Sequence, residues 1–380
     1  MNLEIFAQYM AEICAHTLAA PGRSLRWTVI ANPTAGGFTI ASRWKKHRAE
    51  LEAAVEKAQA NPVRAGAGPS QTAKAQDPVS VPADVPLSTG KGPVLSNAGL
   101  IATNAPGHAG HIVEALLQEA ADCRSAFHLI ICAGGDGTSL EVQTALYTAD
   151  PVVRENFAVL RLPMGTGNDG ADSWELPEAL DLLICPTRID KARALRLTTS
   201  TAGKGPYLAF NILSVGLDAF VTHMTNKMKG RLPGDSYKLW VDIASLLYDR
   251  IYHVGPMDIR AFNGDGIEEK SFRDIPLLLA VGASGHRTYG SRKKILPDDR
   301  NVCMLRQMPL LRKVALKELF ASGTHVDKPE ALLFNANRVE FSGTYPILAQ
   351  MDGETVLLQV EDFPAAIELT EPVIPVLKLN

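Results

Sequence analysis

Apolar residues along this chain keep two different rhythms. In the first half, short apolar runs of strand length alternate with stretches spaced as amphipathic helices. Leu25–Ala31 (LRWTVIA), Val94–Thr103, Phe127–Cys132 (FHLIIC) and Phe157–Leu162 each read as a strand that ends in a polar or glycine turn. Between them, a helix is predicted from the Gly36–Gly37 turn through residue 58, with Trp44, Leu51 and Val55 on one side. A second runs from His108 to Ala121, and a third from Thr138 to about Thr148. Four strands alternating with helices predict an α/β fold with an open, mostly parallel sheet, whose ligands sit at the carboxyl ends of the strands.

From about residue 190 the rhythm shortens. Tyr207–Ile212, Met257–Phe262, Ile275–Val281, Val302–Met308, Arg338–Phe341, Ile347–Met351 and Thr355–Val360 predict strands. Asn263–Gly266 reads as a hairpin turn, so this half is expected to be an antiparallel β-sandwich. Tyr237, Trp240, Val241, Ala244, Leu247 and Tyr248 mark one amphipathic helix within it. Two segments stand apart from both rhythms. Ile5, Phe6, Tyr9, Ile13 and Leu18 predict an N-terminal helical extension over residues 1–23, either packed on the body or used for docking. Residues 59–93 are rich in Pro, Gly, Ala and Ser and hold too few large apolar side chains to offset their ordering entropy, so a mobile insertion is expected.

Composition narrows the picture. Hydrophobic residues make up 46% and charged residues 21% of 380, as in soluble globular proteins, and this length accommodates two domains. A net charge of −3 gives no case for a nucleic-acid partner. Cys14, Cys123, Cys132, Cys185 and Cys303 are scattered and odd in number, which suits reduced thiols and a cytoplasmic location. No apolar run reaches ~18 residues, so any membrane contact is expected to be peripheral.

The candidate chemistry lies in the turns. Gly134-Gly135-Asp136-Gly137-Thr138 joins a buried strand to a helix, an arrangement that offers backbone N–H groups and the positive end of a dipole to a phosphate. Asp136 is unexpected in an anion site and suggests a metal ion or a proton acceptor, although Asp-Gly alone is a common turn pair. Thr138-x-x-Glu141 also fits a capping box, which by itself would account for Glu141. Asn32-Pro33-x-x-Gly36 ends a strand on the same sheet edge and is a second candidate phosphate loop. Thr103 and Thr166 hold equivalent strand-end positions and fit ordinary loop hydroxyls equally well. Gly165-x-Gly167-x-x-Gly170 matches a dinucleotide fingerprint, but Pro163 and the polar Asn168-Asp169 pair suit a loop better than a helix start. Asp352-Gly353 is a sound hairpin turn, and spacing alone asks nothing of Glu354 beside it. The basic positions His286, Arg287, Arg292, Lys293 and Lys294 fit a solvated face or contact with anionic headgroups.

Taken together and in order, Asn32-Pro33-x-x-Gly36, Gly134-Gly135-Asp136-Gly137-Thr138-x-x-Glu141, Leu162-Pro163-x-Gly165-Thr166-Gly167-Asn168-Asp169 and Asp352-Gly353-Glu354 resemble the diacylglycerol kinase catalytic-domain family. The resemblance implies an ATP-binding, three-layer α/β domain (24–180), a β-sandwich lipid-substrate domain (181–365), a tail (366–380) that returns to the first domain, and an active site between the domains. It implies a lipid kinase that uses ATP and Mg²⁺ at the membrane surface, and it admits a homodimer. It implies that Asn32, Pro33, Gly36, Thr103, Gly134, Gly135, Gly137, Thr138, Glu141, Gly165, Thr166, Asn168 and Asp169 bind the nucleotide. It further implies Glu354 as general base and Asp136 as Mg²⁺ ligand or partner in activating the hydroxyl. A second Mg²⁺ site would use Asp299, although Leu296-Pro297-Asp298-Asp299-Arg300-Asn301-Val302 is shorter than the family pattern and lacks its glycine.

Overall fold

The computed structural model describes residues 2–17, 24–60, 74–75, 99–122, 126–165, 167–228, 248, 252–289 and 293–380. Most of the expected 59–93 insertion, the start of the strand expected from Val94, the helix expected around Tyr237–Leu247, Thr166 and Arg292 lie outside the described residues.

The chain divides into two compact units, residues 1–192 with 373–380, and residues 193–372. The boundaries fall later than 180 and 365 for a reason visible in the pairing. Thr187–Ala192 is the antiparallel edge strand of the first sheet, paired with Ile374–Leu379, while Ala365–Leu369 is an inner strand of the sandwich. The tail that joins the first unit is therefore the single strand Ile374–Leu379.

In the first unit, the sheet runs Lys74–Ala75, Ser24–Ala31, Ala126–Gly134, Phe157–Pro163, Ile374–Leu379, Thr187–Ala192, with Leu100–Ala102 also paired to Ser24–Ala31. Every pair except the last is parallel. All residues of Ala126–Gly134 and Phe157–Pro163 are buried, as befits central strands covered on both faces. Strand alternation points Leu129 and Ile131 into a core shared with three helices, Asn2–Ala15, Ala41–Gln59 and Leu176–Ile184. The helices His108–Asp122 and Asp136–Thr148 pack against each other.

The N-terminal helix is thus part of the body. Phe6, Met10, Ile13 and Cys14 are fully buried, Phe6 meets Phe38 edge to face at 5.1 Å, and Tyr9 donates to Glu52 at 2.6 Å. The helix predicted from the Gly36–Gly37 turn is split, Gly36–Thr39 followed by Ala41–Gln59, with Ile40 extended between them.

The second unit holds two six-stranded antiparallel sheets with an apolar core between them, and a two-stranded ribbon of Arg287–Tyr289 with Lys293–Leu296. One sheet carries Met257–Phe262, whose residues alternate buried and exposed along most of its length. The other is buried on both faces, since the helices Leu217–Met228 and Leu310–Ser322 flank its outer side. The predicted strand Tyr207–Ile212 is two strands. Tyr207–Ala209 belongs to the first sheet and Ile212–Gly216 to the second, so the chain crosses between sheets at Phe210–Asn211.

Truncating Phe6 tests the role of the N-terminal helix. Phe6→Ala is expected to lower the unfolding free energy by about 3 kcal/mol in urea titration, the usual cost of emptying a buried aromatic site. A change under about 0.5 kcal/mol, the range of surface substitutions, would show that the helix adds nothing to the core.

Candidate active site

Parallel pairing brings the expected loops of the first unit to one edge. Ala31 pairs with Ala133 and with Ala102, and Gly134 pairs with Pro163, so the strands end in step. Short bonds join the loops that follow. Asn32 donates its N–H to the Ala133 carbonyl at 3.0 Å, and its side-chain amide reaches the Thr138 hydroxyl at 3.5 Å. The Asn32 carboxamide oxygen closes the Pro33 turn by accepting from the Thr34 N–H and hydroxyl. Gly37 N–H donates to the Met164 carbonyl, and Thr103 N–H to that of Ala31, both at 2.8 Å.

Glycine is required where these backbones meet. A Cβ on Gly165 would lie 2.6 Å from Gly135 Cα, and one on Gly134 would lie 2.6 Å from Thr138 Cβ. Asn168 adopts φ +59, a left-handed conformation that Asn tolerates, and donates its amide to the Pro163 carbonyl. The ends of this loop are fastened by a buried ion pair that has no local signature along the chain. Arg161 holds Asp172 at 2.6 Å through its guanidinium and at 2.7 Å through its backbone N–H, and also donates to Gln143.

Asp136 opens the helix Asp136–Thr148. The N-cap, Gly135, has no capping side chain, which leaves the first amides, including those of Gly137 and Thr138, to water or a ligand. Asp136 Oδ1 accepts from the Gly170 N–H at 2.9 Å. Its Oδ2 and that of Asp169 both lie against Gly167, within 2.7 and 3.6 Å of where a Cβ would stand. Burial raises the Asp136 carboxyl above its ordinary range, opposed by the Gly170 N–H and the Arg161 guanidinium.

The predicted capping box does not form. Glu141 turns away from Thr138 and accepts from the backbone N–H groups of Gly107 at 2.7 Å and Ala109 at 3.1 Å. It thereby serves the start of the helix His108–Asp122, a tertiary partner that spacing within one helix cannot reveal.

In the second unit, Asp352 and Gly353 have φ of +46 and +99, and Met351 pairs with Glu354: a two-residue hairpin of the predicted kind. Asp352 has a structural task. Its carboxylate accepts from the N–H groups of Phe210, Asn211 and Ile212, the amides at the crossover between sheets. Glu354 is exposed.

Behind the turn lies a buried polar cluster. Ser214 donates to Asp218 Oδ2 at 2.6 Å, and Gln350 Nε2 donates to that oxygen and to the Ser214 hydroxyl, both at 3.1 Å. Burial pushes the Asp218 carboxyl up to about 6, against the Ser214 hydroxyl, the Lys293 ammonium and the Gln350 amide, which favour its charge. Asp299 is 98% exposed at its side chain and pairs with His286 at 2.9 Å, while Asp298 is held by Arg300. No group of three metal-ligating side chains forms among the described residues. Arg287 of the basic run turns inward to the Ser284 hydroxyl and the Asn211 carboxamide.

Comparison with known proteins agrees with the motifs. Residues 92–199 match the family model of the diacylglycerol kinase catalytic domain, a span that holds the Gly134 and Gly165 loops. "Probable lipid kinase YegS-like" from Enterobacter sp. (strain 638) is 26% identical over 235 residues, 61% of this chain and 73% of that protein. "Probable lipid kinase YegS" from Salmonella arizonae is 28% identical over 262 residues, 66% of this chain and 80% of that one. The structure entitled "A putative diacylglycerol kinase from Bacillus anthracis str. Sterne" superposes with a TM-score of 0.56 at 16% identity, over 93% of this chain and 97% of that one. These findings bear out the resemblance to the diacylglycerol kinase family and the α/β-plus-sandwich fold.

The buried Asp218 makes stability depend on pH. Its unfolded value is near 3.8 and its folded value about 6, so between these the folded chain keeps a proton that the unfolded chain has released. Its penalty is absent below pH 3.8 and complete above about 6. Asp218→Asn is therefore expected to gain on the order of 2–3 kcal/mol on wild type as pH rises from about 4 to 7.5, by urea unfolding at each pH. An unfolding difference that stays flat across that window would refute the shift.

Proposed function

We propose that this protein is an ATP-dependent lipid kinase that transfers the γ-phosphate to the hydroxyl of a lipid such as diacylglycerol. The observation that carries the reading is the interlocked loop edge of the first unit, where an uncapped helix N-terminus begins with a carboxylate. The amides of Gly137 and Thr138 suit phosphate oxygens, and the loops at Asn32–Gly36, Thr103 and Gly165–Asp169 would line the nucleotide. The lipid-kinase names of the relatives support the acceptor class.

The residues fit Mg²⁺, which takes one or two carboxylates and completes its shell with water and substrate phosphates. Asp136 Oδ2 and Asp169 Oδ2, both against Gly167, offer such a pair. The bound ion would neutralise charge on the β- and γ-phosphates.

Glu354, exposed beside a fixed turn, is the proposed general base. As the lipid oxygen bonds to γ-phosphorus, its proton passes to the Glu354 carboxylate, the bond from phosphorus to the β-γ bridging oxygen breaks, and ADP leaves. The protein's share is positioning, charge neutralisation and one proton transfer. In this reading the acceptor would be met peripherally, from the cytoplasm; among the described residues, no helix is long and apolar enough to cross a membrane.

Two measurements test this reading. Labelled ATP is offered with diacylglycerol, sphingoid bases, polyprenols and NAD; label is expected in a lipid, and label in NAD alone would overturn the lipid reading. Glu354→Gln is expected to cut transfer by about 10²-fold or more while ATP affinity, measured by calorimetry, stays within twofold. Undiminished turnover would remove Glu354 from the mechanism.

A further inference from the structure

Asp218 is out of place on grounds of stability. It is 4% exposed, and its helix packs into an apolar cluster with Ala219, Phe220, Leu277 and Leu278. A carboxyl there costs free energy whenever it is charged. A structural anchor could be supplied by a neutral amide of the same shape. An acid retained at such a cost points to work done by its charge.

The chain is built to bring that charge to the Asp352–Gly353 turn. Gln350 stands directly opposite Ser214 across the sheet and directly opposite Thr355 in the hairpin. Gly216, at φ +93, lets the strand Ile212–Gly216 pass at once into the helix Leu217–Met228; a Cβ there would meet the Leu277 carbonyl at 2.6 Å. Asp218 is thereby placed four residues from Ser214 and against Gln350. With its Nε2 drawn to Asp218 and Ser214, the Gln350 carboxamide must present its oxygen to the turn, where it accepts from the Gly353 N–H at 3.1 Å. The same helix grips the other side of that residue, since Asn226 donates to the Gly353 carbonyl at 2.8 Å. His223, one turn earlier, meets the Thr355 hydroxyl at 3.3 Å. Both neighbours of Glu354 in sequence are therefore held by one helix.

We propose that Ser214, Asp218 and Gln350 act as a positioning relay that fixes the orientation of the Gly353 peptide and, through it, the carboxylate of Glu354. The proposal rests on Glu354 being the proton acceptor. Its physical core is the charge on Asp218. A carboxylate binds the Ser214 hydroxyl and the Gln350 amide about twice as strongly as a neutral oxygen does. With a neutral partner the Gln350 carboxamide is free to flip, and its NH₂ would then oppose the Gly353 N–H. The turn would lose one anchor, and Glu354 the geometry that proton transfer needs. The charged group that acts on the relay is Lys293, from the strand Lys293–Leu296, while His223 on the helix of Asp218 meets Thr355 instead.

The test is the full-length Asp218→Asn variant, assayed with ATP and the lipid that wild type phosphorylates fastest in detergent micelles, beside Glu354→Gln. The relay predicts a kcat lowered about 10- to 100-fold, a KM for ATP within twofold of wild type, and an unfolding midpoint in urea at pH 7.5 no lower than wild type. A purely structural acid predicts that any loss of turnover tracks a loss of stability, and that result, or an unchanged kcat, overturns the proposal. Should Asp218→Asn fail to fold, Ser214→Ala removes one donor at little change in volume. It is expected to lower kcat at constant KM, and wild-type turnover in it would overturn the proposal. If Glu354→Gln itself turns over normally, the base reading falls and the relay with it. An inactive Glu354→Gln beside fully active Asp218→Asn and Ser214→Ala sinks the relay alone.

Discussion

The approach of the Gly135 backbone to Gly165 is the constraint on which the first unit depends. A single methyl group at Gly165 would stand 2.6 Å from Gly135 Cα, so the two loops touch without any side chain between them. Such a contact requires the strands beneath to be held in register, which the pairing of Gly134 with Pro163 and the full burial of both strands provide. It also requires the second loop to return to its own base. The Arg161–Asp172 pair does this inside the protein, where an unpaired partner of either sign would be costly. The reward is a surface made of backbone. Amides of glycine and the first turn of a helix can approach a phosphate more closely than side chains permit.

Acidic groups recur around the proposed chemistry, and their surroundings assign them different duties. Asp352 is saturated by amides at a chain crossover and acts as a fastener. Asp136 is pulled two ways, since burial disfavours its charge while the Gly170 N–H and Arg161 favour it, as suits a group that would receive a cation. Asp218 is buried with only neutral donors in direct contact and the Lys293 ammonium at longer range. Glu354 alone projects into solvent from a rigid turn. Four carboxyl groups thus range from fixed to accessible, and the exposed one is the one the proposed chemistry uses as a base.

Much of this was legible in the sequence, because hydrophobic periodicity and turn residues report on local structure. The buried strands, the glycine loops at their ends and the Asp352 hairpin follow from pattern alone. What escaped were partners brought together by the fold. Glu141 had a plausible mate three residues back and took two amides more than thirty residues away instead. Asp172 carries no pattern of its own, and only the fold sets Arg161 beside it. Tyr207–Ile212 read as one strand because periodicity cannot see a chain change sheets. The N-terminal helix was recognised, yet its burial depended on Phe38 and on the core it shares with the helices Ala41–Gln59 and Leu176–Ile184, which no local rule supplies.

Phosphoryl transfer rewards rigidity, since most of its catalysis lies in alignment and electrostatics. Each unit meets that demand with a different economy of structure. The first has little to immobilise, because glycines place backbone against backbone and leave no rotamers to order at the contact. The second must fix a long, exposed side chain, and it does so indirectly by anchoring the peptide groups on either side. Asp352 holds the turn to the crossover, Gln350 and Asn226 hold the two faces of Gly353, and His223 holds Thr355. Glu354 thus extends from a Cα whose neighbours on both sides are held, which sets where its carboxylate stands. In the proposed chemistry, a base carried this way meets the acceptor hydroxyl from a turn whose backbone need not rearrange.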